Sequence, residues 1–358
     1  MYPKICSFDE AWMISQKLID DGKCTKSRRL LLGNGFSRSY FGEKFSYQTL
    51  FNSIEFEKKN ERIKKLFDYF GTSNFEAVLT ILKNTEFLFE VYDIDNRKPL
   101  ADYERIRDAL AEAIVRVHPE KTTSIPEENK KTCLSFLQKF DDDIFTVNYD
   151  LLLYWVVVQD GVFGDYFFRD EVTPPEYCEF VHDGSKTEKH VHFLHGALHL
   201  FQKEGRTIKK VWGHIAPLVS QIKNEMENGY YPLVVAEGDS NSKLSRIRSV
   251  PYLEHAFAKL KNSSGQIFTF GFSFSEQDTH IIDAITSNSK IRCVWLGIRG
   301  DFSREENKRL INLANNMQEE RTKLIAGKKQ KSKSKSGELE VMFYDAGEID
   351  LWGNKKSK

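Results

Sequence analysis

The chain predicts an α/β fold: a Rossmann-like, doubly wound and mainly parallel sheet of about six or seven strands, with helices on both faces. Three observations carry this. Short apolar, β-branched or aromatic runs recur along the chain, most of them closed by Gly or Asn. Between them lie patterns with apolar residues at three-and-four spacing, the mark of helices with one buried face. Apolar residues make up 40% of the 358, including 27 phenylalanines, so a substantial core can form.

The strand-like runs are RRLLLG (28–33), DIFTVN (143–148), VHFLHG (191–196), YPLVVAEG (231–238), QIFTFG (266–271), IRCVWLG (291–297) and LEVMFYDA (339–346). Helical spacing covers Phe75 to Tyr92, Tyr103 to Val117, Val211 to Met226 and Lys243 to Leu260. Ser275, with Asp278 three residues later, predicts a capping-box helix start directly after QIFTFG. The stretch between the first two runs reads mostly helical, which predicts a helical insertion over 47–140 inside one domain spanning 1–358. GKKQKSKSKSGE (327–338) has no large apolar residue and predicts a solvated, flexible loop.

Composition bounds the function. The formal net charge is zero, which argues against a nucleic-acid backbone as the main partner. No apolar run approaches bilayer length, and MYPKICSFDEAWM lacks the basic-then-apolar pattern of a signal peptide, so no membrane and a cytoplasmic location are expected. The five cysteines are scattered and never form a C-x-x-C pair, which predicts reduced thiols and no structural metal.

Four short motifs could carry chemistry. Gly33-Asn34-Gly35-Phe36-Ser37 reads either as a two-residue hairpin turn or as a strand end feeding a phosphate cradle, where glycines admit close approach and amides donate. The third glycine of the usual dinucleotide fingerprint is missing. Thr146-Val147-Asn148-Tyr149-Asp150 places Asn148 and Asp150 at a strand's carboxyl end, where open α/β sheets bind ligands; both types also cap helices, and Asp150 reads as a cap or a ribose contact. His195-Gly196 supplies the side chain best matched to proton transfer near neutral pH. His190, His192, His195 and His199 also raise a metal site, but Gly196 breaks the helical spacing and no acidic residue sits nearby in the usual metal-ligand spacing, so the expected metal is none. Gly271-Phe272-Ser273, leading to Ser275 and Asp278, offers a helix N-terminus to an anion, or is an ordinary strand-to-helix turn.

Taken in order, these motifs resemble the sirtuin-like superfamily, whose members carry Gly-Ala-Gly-x-Ser, Thr-Gln-Asn-x-Asp, His-Gly and a late Gly-x-Ser. The likeness covers about residues 28–300, and the segments around 232–257 and 271–281 look like a bacterial branch described as a domain of unknown function. Two features depart from the deacetylases: the four-cysteine zinc module is absent, and Asn34 replaces alanine. Tyr149 follows Asn148 as in the sirtuin-like proteins of bacterial defence.

The resemblance implies a Rossmann-like enzyme that cleaves NAD to nicotinamide and ADP-ribose, with NAD as substrate and no metal. Asn148 would orient water and ribose. His195 would bond a ribose hydroxyl or take the water's proton. Gly33, Asn34, Gly35, Phe36, Ser37, Gly271 and Ser273 would hold the pyrophosphate and adenosine side, with Asp150, Gly196 and Asp278 completing the cofactor contacts. It further implies a latent anti-phage effector, controlled by self-assembly or by a protein partner such as an ATPase. A non-catalytic module that senses NAD or an ADP-ribose derivative would need the glycine turns but not His195, and a metal-dependent hydrolase built on the histidines is a third reading.

Overall fold

Leu30, Leu31 and Leu32 are all fully buried. A strand with no solvent face belongs in the middle of a parallel sheet covered on both sides, and the computed structural model places it there. It describes residues 2–54, 61–95, 97–158, 161–169, 177–183, 187–211, 217–329 and 337–354. In chain order the strands are β1 (Ile5–Cys6), β2 (Arg28–Leu32), β3 (Ile144–Thr146), β4 (Phe163–Gly164), β5 (Phe167–Phe168), β6 (Tyr177–Phe180), β7 (Lys189–Phe193), β8 (Gly196–Lys203), β9 (Arg206–Lys210), β10 (Pro232–Val234), β11 (Gly265–Phe270), β12 (Ile291–Ile298) and β13 (Glu340–Asp345).

Eight of them form one sheet in the order β1-β13-β12-β11-β2-β3-β7-β4. Every pairing in it is parallel, and helices flank it, so the molecule is a Rossmann-like α/β protein. From β2 the chain first builds outward through β3 and β7, then returns to build β11, β12 and β13 on the other side. The order therefore reverses at β2, and the crevice at the carboxyl ends of β2, β3 and β11 is the topological switch point.

Six of the seven expected strands lie in this sheet. The seventh, at 231–238, does not: β10 pairs antiparallel with β8 in a second, five-stranded sheet of order β10-β8-β9-β6-β5. That sheet is hidden in the sequence because charge interrupts its apolar pattern. Lys210 of β9 is buried, as is Glu225, and the two pair at 2.5 Å, while Lys209 pairs with Asp165 at 2.5 Å. The two-residue edge strands β1 and β4 are too short to show a period.

Between β2 and β3 the described chain is helical: Asn34–Phe41, Tyr47–Asn52, Glu61–Phe70, Phe75–Val91, Arg97–Val117 and Glu127–Gln138, with short 3-10 turns. The single helix expected over 243–260 is two, Ser240–Ser249 and Pro251–Lys261. Pro251 has no amide to continue the first helix and forces Val250 into extended backbone, at φ −119° and ψ 118°. The helix expected from Val211 is Leu218–Glu227, with 212–216 outside the described residues. Helix Glu305–Lys329 enters the expected loop at 327, and 330–336 lie outside the described residues. No helix among the described residues is long and apolar enough to cross a membrane.

The glycine turns after β2 and β11 press backbone against backbone. A Cβ on Gly35 would stand 2.5 Å from the Gly271 Cα, and one on Gly271, which sits at φ +65°, would stand 2.4 Å from the Gly35 Cα. Gly271→Ala therefore combines a left-handed backbone penalty with overpacking, and is expected to destabilise the fold by about 2–4 kcal/mol. Urea unfolding of the variant checks this; an unchanged midpoint would contradict the close approach.

Candidate functional site

A cavity of about 300 Å³ opens at the switch point, at the small end of the range for small-molecule sites. The ends of three parallel strands supply its floor: Asn34 after β2, Asn148 and Asp150 after β3, and Gly271, Ser273 and Asp278 after β11. His195 lines it too, from the corner where the chain leaves β7 for β8. Tyr47, Asn74, Glu76, Leu110 and Ile114, from the helices inserted between β2 and β3, form the opposite wall. A second cleft of about 370 Å³, lined by Ser7, Asp9, Thr132 and Asp350 among others, gathers none of the motif residues.

The Gly33–Ser37 stretch is neither a hairpin nor an open loop. The helix begins at Asn34 as soon as β2 ends. The Gly33 amide donates to the Phe270 carbonyl at 3.0 Å and the Gly35 amide to the Gly271 carbonyl at 2.9 Å, so neither is free for a phosphate. Gly33, Gly35, Phe36 and Ser37 stay off the cavity wall; Phe36 is fully buried and its ring packs 5.5 Å from Trp352. Gly196 is also off the wall: it turns at φ +77°, and a Cβ there would strike the Leu233 carbonyl oxygen at 2.0 Å. These five residues shape the turns, while Asn34, Asn148, Asp150, His195, Gly271, Ser273 and Asp278 face the cavity.

Ser37 acts from behind. Its hydroxyl donates to Asp150 Oδ2 at 2.5 Å. Ser37 Oγ therefore accepts from Asn148 Nδ2, at 2.9 Å. This fixes the amide's orientation and leaves Asn148 Oδ1 buried with no partner among the described residues. Asp150 Oδ1 meanwhile accepts the Leu152 amide at 2.9 Å, and His118 Nε2 accepts the Leu151 amide at 3.1 Å. Asp150 thus holds both the following turn and, through Ser37, Asn148.

His195 is fixed on three sides. Its carbonyl accepts the Val235 amide at 2.9 Å, and the neighbouring Tyr149 hydroxyl donates to the Val235 carbonyl at 2.7 Å. The Tyr149 ring lies over the imidazole at 6.5 Å between centroids, its plane inclined by 29°. His195 Nε2 meets His280 Nε2 at 3.1 Å. Burial, reinforced by the Lys243 charge, pushes the His195 pKa well below that of an ordinary histidine, so the ring is neutral at pH 7. Burial also brings His280 down to about 4.

The sequence reading missed the ion cluster beside it. Lys243 Nζ, almost fully buried, donates to Glu76 Oε1 at 3.0 Å and to Asp278 Oδ1 at 2.9 Å. Burial opposes the lysine's charge, but the two carboxylates outweigh it and raise its pKa. Burial raises Glu76, to which Tyr47 also bonds. For Asp278 burial also acts upward, but the Lys243 charge and hydrogen bond prevail and lower it. Asp278 does not serve the expected capping box: Ser275 Oγ bonds its Oδ2 at 3.0 Å rather than a backbone amide. The same turn holds Phe274 at φ +52°, strained for a side chain of that size. Glu76 and Lys243 carry no motif; each was visible only as part of a helical segment, Phe75 to Tyr92 and Lys243 to Leu260.

The four histidines grouped in sequence go to three places, with only His190 and His192 staying together. His195 is at the cavity, and His199 stacks on Tyr154 at 4.3 Å inside the second sheet. His190 Nδ1 and His192 Nε2 meet Asp143 at 3.2 and 3.0 Å, at the amino end of the strands, away from the cavity. Among the described residues this trio is compact enough to hold a cation. Its carboxylate already receives both imidazoles and the His190 amide, the last at 2.9 Å.

Fold and site together define a class: a Rossmann-like α/β protein with a cavity at the switch point of its parallel sheet. Residues 30–352 match the model of a domain of unknown function, DUF4917, and the chain belongs to that family. No curated protein matches it.

Proposed function

We propose that the protein hydrolyses the nicotinamide–ribose bond of NAD, yielding nicotinamide and ADP-ribose, and serves as a latent anti-phage effector held in check by self-assembly or a protein partner. The observation that carries this reading is the convergence of Asn148, His195, Gly271 and Ser273, drawn from three of the motifs shared with sirtuin-like proteins, on one cavity at the switch point. Cleavage builds positive charge on the ribose while nicotinamide departs neutral, so the leaving group needs no acid. What the site must supply is charge stabilisation, orientation and a water with somewhere to send its proton. Among the described residues the cavity wall is rich in carboxylates, with Glu76, Asp150 and Asp278 against the single ammonium of Lys243, which suits a cationic ribosyl centre. Asn148 Oδ1 is an acceptor for a ribose hydroxyl or the attacking water. Asn34 and Ser273, at the exposed mouth, are placed for the phosphate side. No metal takes part in this scheme.

The test is NAD consumption by the purified chain at high concentration. Nicotinamide release is expected from wild type and is expected to fall about 10²–10⁴-fold in His195→Ala and in Asn148→Ala. A folded His195→Ala variant with wild-type turnover overturns the assignment. NAD binding without turnover in any of the three establishes the nucleotide site and leaves a latent enzyme lacking its trigger beside the non-catalytic sensor.

A further inference from the structure

A base at His195 faces a difficulty: the ring is fully buried beside an ammonium and resists carrying a second proton. The hydrogen bonds around it offer a way out. His280 Nδ1 meets Ser240 Oγ at 3.1 Å, and the His280 amide donates to the same Oγ at 2.7 Å. Ser240 is partly exposed. The chain Ser240–His280–His195 therefore runs from the surface to the cavity, and two nitrogens facing each other at 3.1 Å share one proton. His195 Nδ1 is left without a partner among the described residues. Asp278 Oδ1 lies 4.0 Å from His195 Nε2, beyond hydrogen-bond reach.

We infer that Ser240 and His280 form a proton relay that carries the attacking water's proton from His195 to solvent. This rests on the hydrolase reading above. In the starting arrangement His280 Nδ1–H donates to Ser240 and His195 Nε2–H donates to His280 Nε2, leaving a lone pair on His195 Nδ1. As the water's oxygen bonds to the ribose carbon and the nicotinamide nitrogen takes the electron pair of the broken bond, the water's proton passes to His195 Nδ1. The Nε2 proton moves to His280 Nε2, the Nδ1 proton to Ser240 Oγ, and the serine's own proton to bulk water. One proton leaves per NAD hydrolysed, as the reaction requires, and neither imidazole becomes a cation. His280 and Ser240 are positioning residues, since they act through His195.

The experiment compares Ser240→Ala and Ser240→Thr with wild type in two readouts. Ser240→Ala is expected to lower kcat about tenfold or more with KM unchanged, and to turn a curved, many-proton dependence of kcat on deuterium fraction into a straight one. Ser240→Thr keeps the hydroxyl and is expected to restore both. Wild-type kcat and curvature in Ser240→Ala overturn the relay. The second readout is ring-nitrogen NMR of histidine-labelled protein at pH 7, which needs no turnover. Ser240→Ala is expected to shift the tautomer populations of both His280 and His195; an unshifted His195 overturns the relay. If wild type cleaves no NAD, the kinetic readout does not bear on the relay, and the tautomer shift alone decides whether the proton path exists.

Discussion

The chain is expected to lose stability as the pH falls from 6.5 to 5, with a melting temperature nearly constant from pH 7 to 8. The cause is an accumulation of histidines kept neutral by burial. His118, His192, His195, His199, His255 and His280, six of the nine in the chain, all have pKa values pushed below the ordinary one, with burial the leading cause each time. In the unfolded chain these rings titrate near their usual value, so below about pH 6.5 the unfolded state binds more protons than the folded one. Stability then falls with pH until the folded-state pKa is reached, about 4 for His280, and flattens below it. That ring alone costs the native state about 3 kcal/mol by pH 4, against a typical total of about 5–15 kcal/mol. Asp278 and Asp143, lowered carboxylates, add a further loss once the pH drops through the ordinary carboxylate range. Melting curves between pH 8 and 5 read the effect directly. His199→Phe isolates one contribution: both ring nitrogens of His199 are buried without a partner among the described residues, so an aromatic ring in its place should unfold with about one fewer proton taken up at pH 5.5. A melting temperature flat from pH 7 to 5 would refute this account.

Replacing Lys243 by methionine is the second large effect, an expected loss of about 3–5 kcal/mol at neutral pH. The ammonium is the charge that Glu76 and Asp278 share inside the protein, and both carboxylates are themselves largely buried. Methionine fills the volume of the lysine stem, so the loss reports uncompensated charge rather than a cavity. Lys243→Met/Glu76→Gln removes one of the stranded carboxylates and is expected to recover part of the loss. Urea unfolding of the two single variants and the double closes a cycle whose coupling should exceed about 1 kcal/mol. Additive losses would mean that the lysine's charge is not coupled to Glu76. The consequence for the site is direct: this lysine joins the inserted helices, through Glu76, to the turn after β11, through Asp278, and so ties together two walls of the cavity.

How much of this was legible varies with the range of the interaction. The central strands announced themselves because each is buried on both faces, and an unbroken apolar run such as Leu30–Leu32 needs no partner to be recognised. The second sheet stayed hidden because β9 buries lysines, and a lysine is buried only where a distant carboxylate meets it. The break at Pro251 is a local signal that an apolar period running past it obscured. The glycines after β2 and β11 were visible as special, but their reason differs from a cradle: each turn leaves room for the other.

The sequence by itself determined the α/β class, six of the eight parallel strands, and the placement of Asn148, Asp150, His195 and Ser273 at or just beyond strand ends. These follow from side-chain hydrophobicity and backbone preference over a few residues. Only the tertiary structure decided what those residues touch. Ser37 reaches Asp150 across 113 positions, His195 meets His280 across 85, and Lys243 meets Glu76 across 167. A polar side chain buried without a partner is costly, so each of these pairings is obligatory once the sheet has formed. Which partner is chosen depends on strand order, and strand order is written in no local stretch of the chain.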